Sequence, residues 1–325
     1  GYKPYRASTI LSRRFGDCKD KSILMNRLLA KAGIESYPVL VNAVRRRGRE
    51  DMTVPVIGKF NHCICYIPSL DQGTFADGTA YMVPFGELPV MDRGARVLVV
   101  FPDRTEIRTT PTGTVPENAL QRKLEITLNR DRSARIRFTA SPAGFHATSA
   151  RHRYMTPGKR KEVLDKFLSR IFGMIEIRDF SFTDLQNLGI DPSWTVTFRV
   201  PEFLRGPGWT DACQFRQNFS AYAVKESRKY DLLIPYAPYE IAETAEYALP
   251  ETITATAVPE ALTLKNEWGE YRFSAVSSDT GLRVSRAIRI RKSRIPAEAY
   301  PEFRAFIVSA GEKDKEQIRF QQEEE

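Results

Sequence analysis

The stretch Arg14-Phe15-Gly16-Asp17-Cys18-Lys19-Asp20-Lys21-Ser22 decides how the N-terminal third of this chain reads. Directly after it, Ile23, Leu24, Leu28, Leu29 and Ala32 recur at the spacing of a helix with one buried face, and Gly33 stops the pattern. Asp17 is the expected N-cap. Cys18 then falls in the first turn, where unpaired backbone N–H groups and the helix dipole favour negative charge. A thiol so placed is expected to be held as reactive thiolate. The plainer alternative is a small buried cysteine that only packs. The polar neighbours Asp17, Lys19 and Asp20 argue against that.

A nucleophilic thiol needs a base within hydrogen-bond reach, and the base needs an orienting partner. The chain has three histidines, His62, His146 and His152. Only His62 lies in a strand-like run, Phe60-Asn61-His62-Cys63-Ile64-Cys65-Tyr66-Ile67, whose alternation puts His62, Ile64 and Tyr66 on one face. After the turn-like Ser69-Leu70-Asp71-Gln72-Gly73 comes a second short run, Thr74-Phe75-Ala76-Asp77-Gly78-Thr79. A hairpin on that turn would set Asp77 beside His62. Cys18, His62 and Asp77 are therefore the candidate catalytic set, with the carboxylate fixing the imidazole tautomer. His146 and His152 are read as solvated or structural.

These three motifs, in this order, resemble the transglutaminase-like superfamily, as does the lead-in Tyr2-Lys3-Pro4-Tyr5-Arg6-Ala7-Ser8-Thr9-Ile10-Leu11. The resemblance covers roughly residues 1 to 110 and departs from the family at Gly78, where proline is frequent. It implies a papain-like transglutaminase core whose nucleophile helix packs on an antiparallel sheet carrying the His and Asp. It implies thiol-dependent acyl transfer on peptide or amide substrates, by hydrolysis as in a cysteine peptidase or amidase, or by transamidation as in a transglutaminase. The Cys18 backbone N–H would be one oxyanion donor, and no metal or organic cofactor is required. The runs Arg228-Lys229-Tyr230-Asp231-Leu232-Leu233 and Tyr300-Pro301-Glu302-Phe303-Arg304 resemble the β-rich C-terminal region of bacterial members. Those are multidomain exported proteins, which implies a periplasmic or cell-envelope location. It also implies a further domain ahead of residue 1, the chain being read as a fragment. The alternative function is a non-catalytic binding or assembly module.

Composition bounds these readings. The 325 residues suffice for two or three domains. With 42% hydrophobic and 27% charged residues the chain falls in the globular class, and no apolar run approaches the ~18 residues of a membrane span. The cysteines at 18, 63, 65 and 213 show neither a disulfide framework nor zinc spacing, so no metal is expected. The net charge of +9 peaks at Arg45-Arg46-Arg47-Gly48-Arg49, expected as a solvated loop. No stacking aromatics accompany it, so a peptide or protein substrate is expected as partner and nucleic acid is not.

The expected fold class is α+β, with the core at 1–112 followed by antiparallel, β-sandwich-like domains. Thr109–Pro116 reads as a linker. Residues 117–235 read as a β-rich domain with one helix at Pro157–Phe172. Residues 236–325 read as a second, sandwich-like domain with strands at Tyr239–Leu249, Ala261–Leu264, Gly269–Ser277 and Leu282–Arg291. A turn is expected at Asp92-Arg93-Gly94 and another at Ser278-Asp279-Thr280-Gly281. A terminal helix at Tyr300–Ala310 and a frayed end from Gln321 complete the reading.

Overall fold

The structure, a computed structural model, describes residues 3–48, 50–54, 56–278 and 281–323. Gly1 and Tyr2 of the lead-in, Arg49 of the basic run, Asp279 and Thr280 of the last turn, and the two C-terminal glutamates lie outside the described residues. The fold is α+β, mostly sheet with some helix. Contacts divide the chain into two compact units, Gly1–Gly113 and Thr114–Glu325.

In the first unit, α1 (Ala7–Arg13) leads into α2 (Cys18–Lys31), and five strands follow. They are β1 (Tyr37–Val41), β2 (His62–Ile67), β3 (Thr74–Ala76), β4 (Arg96–Val100) and β5 (Thr105–Thr109). The sheet is antiparallel in the order β3-β2-β1-β4-β5. Helix α2 begins with a complete capping box, Asp17 and Asp20 each accepting from the other's backbone N–H. Gly33 takes a left-handed φ of 77° just past the helix, which glycine does without steric cost. The apolar stripe expected to bury α2 does not behave as expected. Its fully buried side chains are Asp20 and Ser22, and Leu28 is 53% exposed. The helix docks through hydrogen bonds: Asp20 accepts from Tyr5 N (2.9 Å), and Ser22 Oγ donates to Ile64 O (2.7 Å). The apolar core lies instead on the sheet, where Val39, Val41, Ile64, Tyr66, Val97 and Val99 are buried.

The second unit is built on strands β6 (Ala119–Leu128), β7 (Ala134–Pro142), β8 (Glu176–Phe182) and β9 (Trp194–Val200), with helices α3 (Gly144–Tyr154) and α4 (Arg160–Phe172) between β7 and β8. After β10 (Trp209–Asp211) and β11 (Leu232–Leu233) come β12 (Tyr239–Ala248), β13 (Ile253–Ala257), β14 (Leu262–Lys265), β15 (Gly269–Ser278), β16 (Gly281–Ile290) and β17 (Arg294–Ile295). Helix α5 (Tyr300–Lys313) and β18 (Gln317–Gln322) close the chain. Eight strands form one sheet in the order β14-β15-β16-β12-β6-β7-β9-β8, and β10-β18-β13 form a small one.

This arrangement corrects the expected boundary near residue 235 and the sandwich of antiparallel strands. β12 pairs in parallel with β6 from Glu240↔Ala119 to Ala248↔Thr127, so the two stretches share one sheet and one core. One face of that sheet buries Leu124, Ile126, Phe138 and Val196 with Leu164, Leu168, Phe303 and Ile307 of the helices. Gln121, Lys123 and Glu125 on the other face are exposed. Helix α3 was not expected, because its buried positions Ala147, Ala150, Arg151 and Tyr154 hold small or polar residues. Arg151 donates to the carbonyls of Leu185 (2.7 Å), Asn187 (3.1 Å) and Ile190 (2.6 Å), which makes its burial tolerable. The expected frayed end is also corrected: Gln321 and Gln322 belong to β18, and Gln322 Nε2 donates to Arg130 O (3.0 Å).

Candidate active site

Cys18 is the first residue of α2, with Asp17 as N-cap. It is partly exposed, whereas Cys63, Cys65 and Cys213 are buried, and all four are free thiols. Burial pushes each of those three thiols up, Cys65 to about 11.

The hairpin β2–β3 pairs Cys65 with Ala76 and Tyr66 with Phe75. Continued by one step, that register places Asp77 on the face of Ile64 and His62, diagonally across from the imidazole. His62 Nε2 meets Asp77 Oδ2 at 3.1 Å, both side chains being largely buried. Thr79 fixes the carboxylate: its N–H donates to Asp77 Oδ1 (2.8 Å), and its hydroxyl lies 2.8 and 2.9 Å from the two oxygens. Burial opposes ionisation of Asp77, but the His62 bond and the Thr79 donors outweigh it and hold its pKa below the usual carboxylate value.

Burial also opposes a charge on His62. The hydrogen bond and charge of Asp77 and the charge of Asp92 overcome it and raise its pKa to about 9. The structure thus brings Asp77 to the His62 imidazole and sets Cys18 at the start of α2. Asp77 faces Nε2, so a thiol partner would have to use Nδ1.

Two further residues were missed in the sequence. Asp92, read only as part of a turn, is 1% exposed, and its Oδ1 has no hydrogen-bond partner. Its pKa is pushed up to about 6, chiefly by burial, with His62 and Arg47 pulling down and Asp77 pushing up. Arg47, expected in a solvated loop, is instead a brace. It pairs with Glu50 and donates to Asn42 O (2.9 Å), Met91 O (2.5 Å) and Arg93 O (3.3 Å). Thr110 Oγ1 holds Asp92 O from the other side (2.5 Å). The available signal for Asp92 was a lone acid closing the run Leu88-Pro89-Val90-Met91. Donor atoms of His62, Asp77 and Asp92 lie within 4.8 Å of one another and could hold a divalent cation through mixed nitrogen and oxygen ligands. The His62–Asp77 contact would have to open to admit one.

No curated protein matches the sequence. A domain of unknown function with a solved structure, DUF3858, matches residues 211–320, inside the second unit. A protein from Parabacteroides distasonis ATCC 8503, whose crystal structure is described as that of a "putative protease", is similar in fold. The TM-score is 0.55 at 11% identity, covering 98% of this chain. This chain spans 46% of that protein's length.

Proposed function

We propose that the first unit is a thiol acyl-transfer centre of transglutaminase-like type, acting on an amide bond of a peptide or protein. The observation that carries this reading is the His62–Asp77 contact at 3.1 Å, in the same unit as a partly exposed Cys18 at a helix N-terminus. The description of the Parabacteroides protein as a protease agrees with it.

In this mechanism the Cys18 sulfur attacks the amide carbonyl carbon, and the carbonyl oxygen takes the negative charge. Unpaired N–H groups at the start of α2, that of Cys18 among them, face the developing oxyanion. The C–N bond breaks as the His62 imidazolium gives its proton to the leaving amine, and a thioester remains on Cys18. Water or an amine then attacks the thioester carbonyl, giving its proton back to His62, and the thiolate leaves. Asp77 keeps the imidazole oriented throughout, held in turn by Thr79. A high His62 pKa suits this cycle, because the imidazolium is the acid that the leaving amine requires. The bacterial members that the sequence resembles are exported, and a location in the cell envelope belongs to the same proposal.

The test is turnover of a mixed peptide library, with and without an added primary amine, by the protein and by Cys18→Ser and His62→Ala. The reading expects cleavage or amine incorporation that both substitutions reduce by about 10³-fold or more. It expects no loss on addition of EDTA. Turnover abolished by EDTA and retained in Cys18→Ser would assign the chemistry to a cation on His62, Asp77 and Asp92 instead.

A further inference from the structure

Along β6 the core-facing row reads Leu120, Arg122, Leu124, Ile126, Leu128, so one cation interrupts an otherwise apolar row. It has acidic company: Arg122 is in register with Glu243 on β12, which is in register with Arg286 on β16. Two of these three charges are satisfied. Glu243 accepts from Gln214 N (2.8 Å) and Phe215 N (3.0 Å). Arg286 donates twice to Asp314 (3.0 and 2.6 Å). Arg122 only stacks its guanidinium on the Phe215 ring, 4.6 Å from the centroid, and among the described residues it makes no hydrogen bond or ion pair.

Arg122 lines a cavity of about 180 Å³ inside the second unit. Three residues lining this cavity carry polar atoms that are buried without partners: His146 Nε2, Tyr154 Oη and Trp194 Nε1. Tyr154 is 1% and Trp194 7% exposed. Exposed Arg153 stands at the same cavity. Leaving a buried polar atom unpaired costs roughly 1–3 kcal/mol, and residues carrying three such atoms line this one cavity. Leu120, Phe138, Phe167 and Ile241 supply the remaining, apolar walls.

We propose that this cavity is a binding site for a small organic carboxylate with an apolar tail. The planar guanidinium of Arg122 offers two parallel N–H groups to a carboxylate, and the Trp194 indole N–H and Tyr154 hydroxyl can complete its shell. Cavities of ~150 Å³ admit a benzene ring, so the volume here accommodates a tail of that size. A bare inorganic anion would leave the apolar walls uncovered. His146 is neutral at pH 7, because burial and the Arg122 charge bring its pKa down to about 3. It therefore serves as a hydrogen-bonding group and not as a second cation. Arg122 stays charged, since burial lowers its pKa only to about 10.

Benzoate, benzamide and inorganic phosphate are the probes, titrated into the intact protein by calorimetry. The quenching of tryptophan fluorescence follows the same event, since Trp194 is one of only three tryptophans. The site predicts saturable benzoate binding, at least tenfold weaker binding of benzamide, and still weaker binding of phosphate. Arg122→Met should weaken benzoate at least tenfold. Should that variant misfold, Arg153→Gln, at an exposed residue, and Trp194→Phe should each weaken benzoate threefold or more. Equal affinity for benzoate and benzamide, phosphate binding as tightly as benzoate, no saturable benzoate binding at all, or benzoate affinity unmoved by these substitutions would each overturn the proposal.

Discussion

Asp77 and Asp92 present their carboxylates to one imidazole, that of His62, with the donor atoms of all three within 4.8 Å. Asp77 is a direct hydrogen-bond partner at 3.1 Å. Asp92 acts through its charge from a buried position. Two carboxylates on one histidine keep it protonated through neutral pH, and the predictions below follow from that geometry and from the charges of the second unit.

The first concerns His62 itself. With only three histidines in the chain, its ring resonances can be assigned by substitution. Its pKa should lie near 9, and in Asp92→Asn it should fall toward the ordinary histidine value. The folded pKa lies above the unfolded one, so this group stabilises the fold fully below about pH 6.5 and loses that contribution as pH rises through about 9. A His62 that titrates near 6.5 in the folded protein would contradict the double-carboxylate account.

Asp92 gives a second pH dependence of its own. Its folded pKa of about 6 also lies above the unfolded value. A carboxyl so shifted is tolerated best when protonated, and its contribution is lost as pH rises from about 4 through about 6. Asp92→Asn should therefore gain stability relative to the parent between pH 4 and pH 7.5, by about 1–3 kcal/mol. All three tryptophans lie in the second unit. Hydrogen exchange at β1 and β2 is accordingly the measurement that reports the first unit. A stability difference that does not change with pH would count against a buried, shifted Asp92.

Much of this site can be read from the chain, and the part that cannot has a physical cause. The helix start at Cys18 and the His62–Asp77 contact are legible because a helix start and a short hairpin are local devices: the cap precedes the thiol by one residue, and period-two alternation aligns the imidazole and the carboxylate. Asp92 arrives by way of a loop that Arg47 and Thr110 pin down, and no periodicity encodes such a contact. Arg47 sits in a run of arginines and looks solvated until its carbonyl acceptors are seen. In the second unit the alternating strands are legible. The neighbourhood of β6 and β12 is not, since alternation marks a strand without naming its partner some 120 residues away. Helix α3 is hidden because its buried face holds alanines, an arginine and a tyrosine in place of an aliphatic stripe.

Arg47→Ala removes the brace on the segment that carries Asp92. Three carbonyl acceptors and Glu50 lose their donor together. A loss of about 1–3 kcal/mol from the first unit is expected, again by hydrogen exchange at β1 and β2. The His62 pKa should fall in the same variant, as Asp92 becomes free to withdraw. An unchanged His62 titration would mean that Asp92 is positioned by other contacts.

Arg286 and Asp314 form a fully buried pair, each side chain 1% exposed, with the Tyr271 hydroxyl also on Asp314 (2.8 Å). Arg286→Met strands the carboxylate and should cost about 3–5 kcal/mol of second-unit stability. Arg286→Met with Asp314→Leu should recover most of that loss. Urea unfolding followed by tryptophan fluorescence reads both. A single variant as stable as the parent would show that the pair is not the buried anchor described here.

The central claim is that Cys18 is a thiol activated by His62. Its most direct test is alkylation of the folded protein by iodoacetamide at pH 6, with each cysteine followed by peptide mass spectrometry. Cys18 should be modified first and at least tenfold faster than Cys63, Cys65 and Cys213, whose thiols are buried and shifted upward. His62→Ala should slow Cys18 alkylation about tenfold or more, and Asp77→Ala should slow it less. Uniformly slow labelling of all four cysteines, or Cys18 labelling indifferent to His62→Ala, would contradict the account.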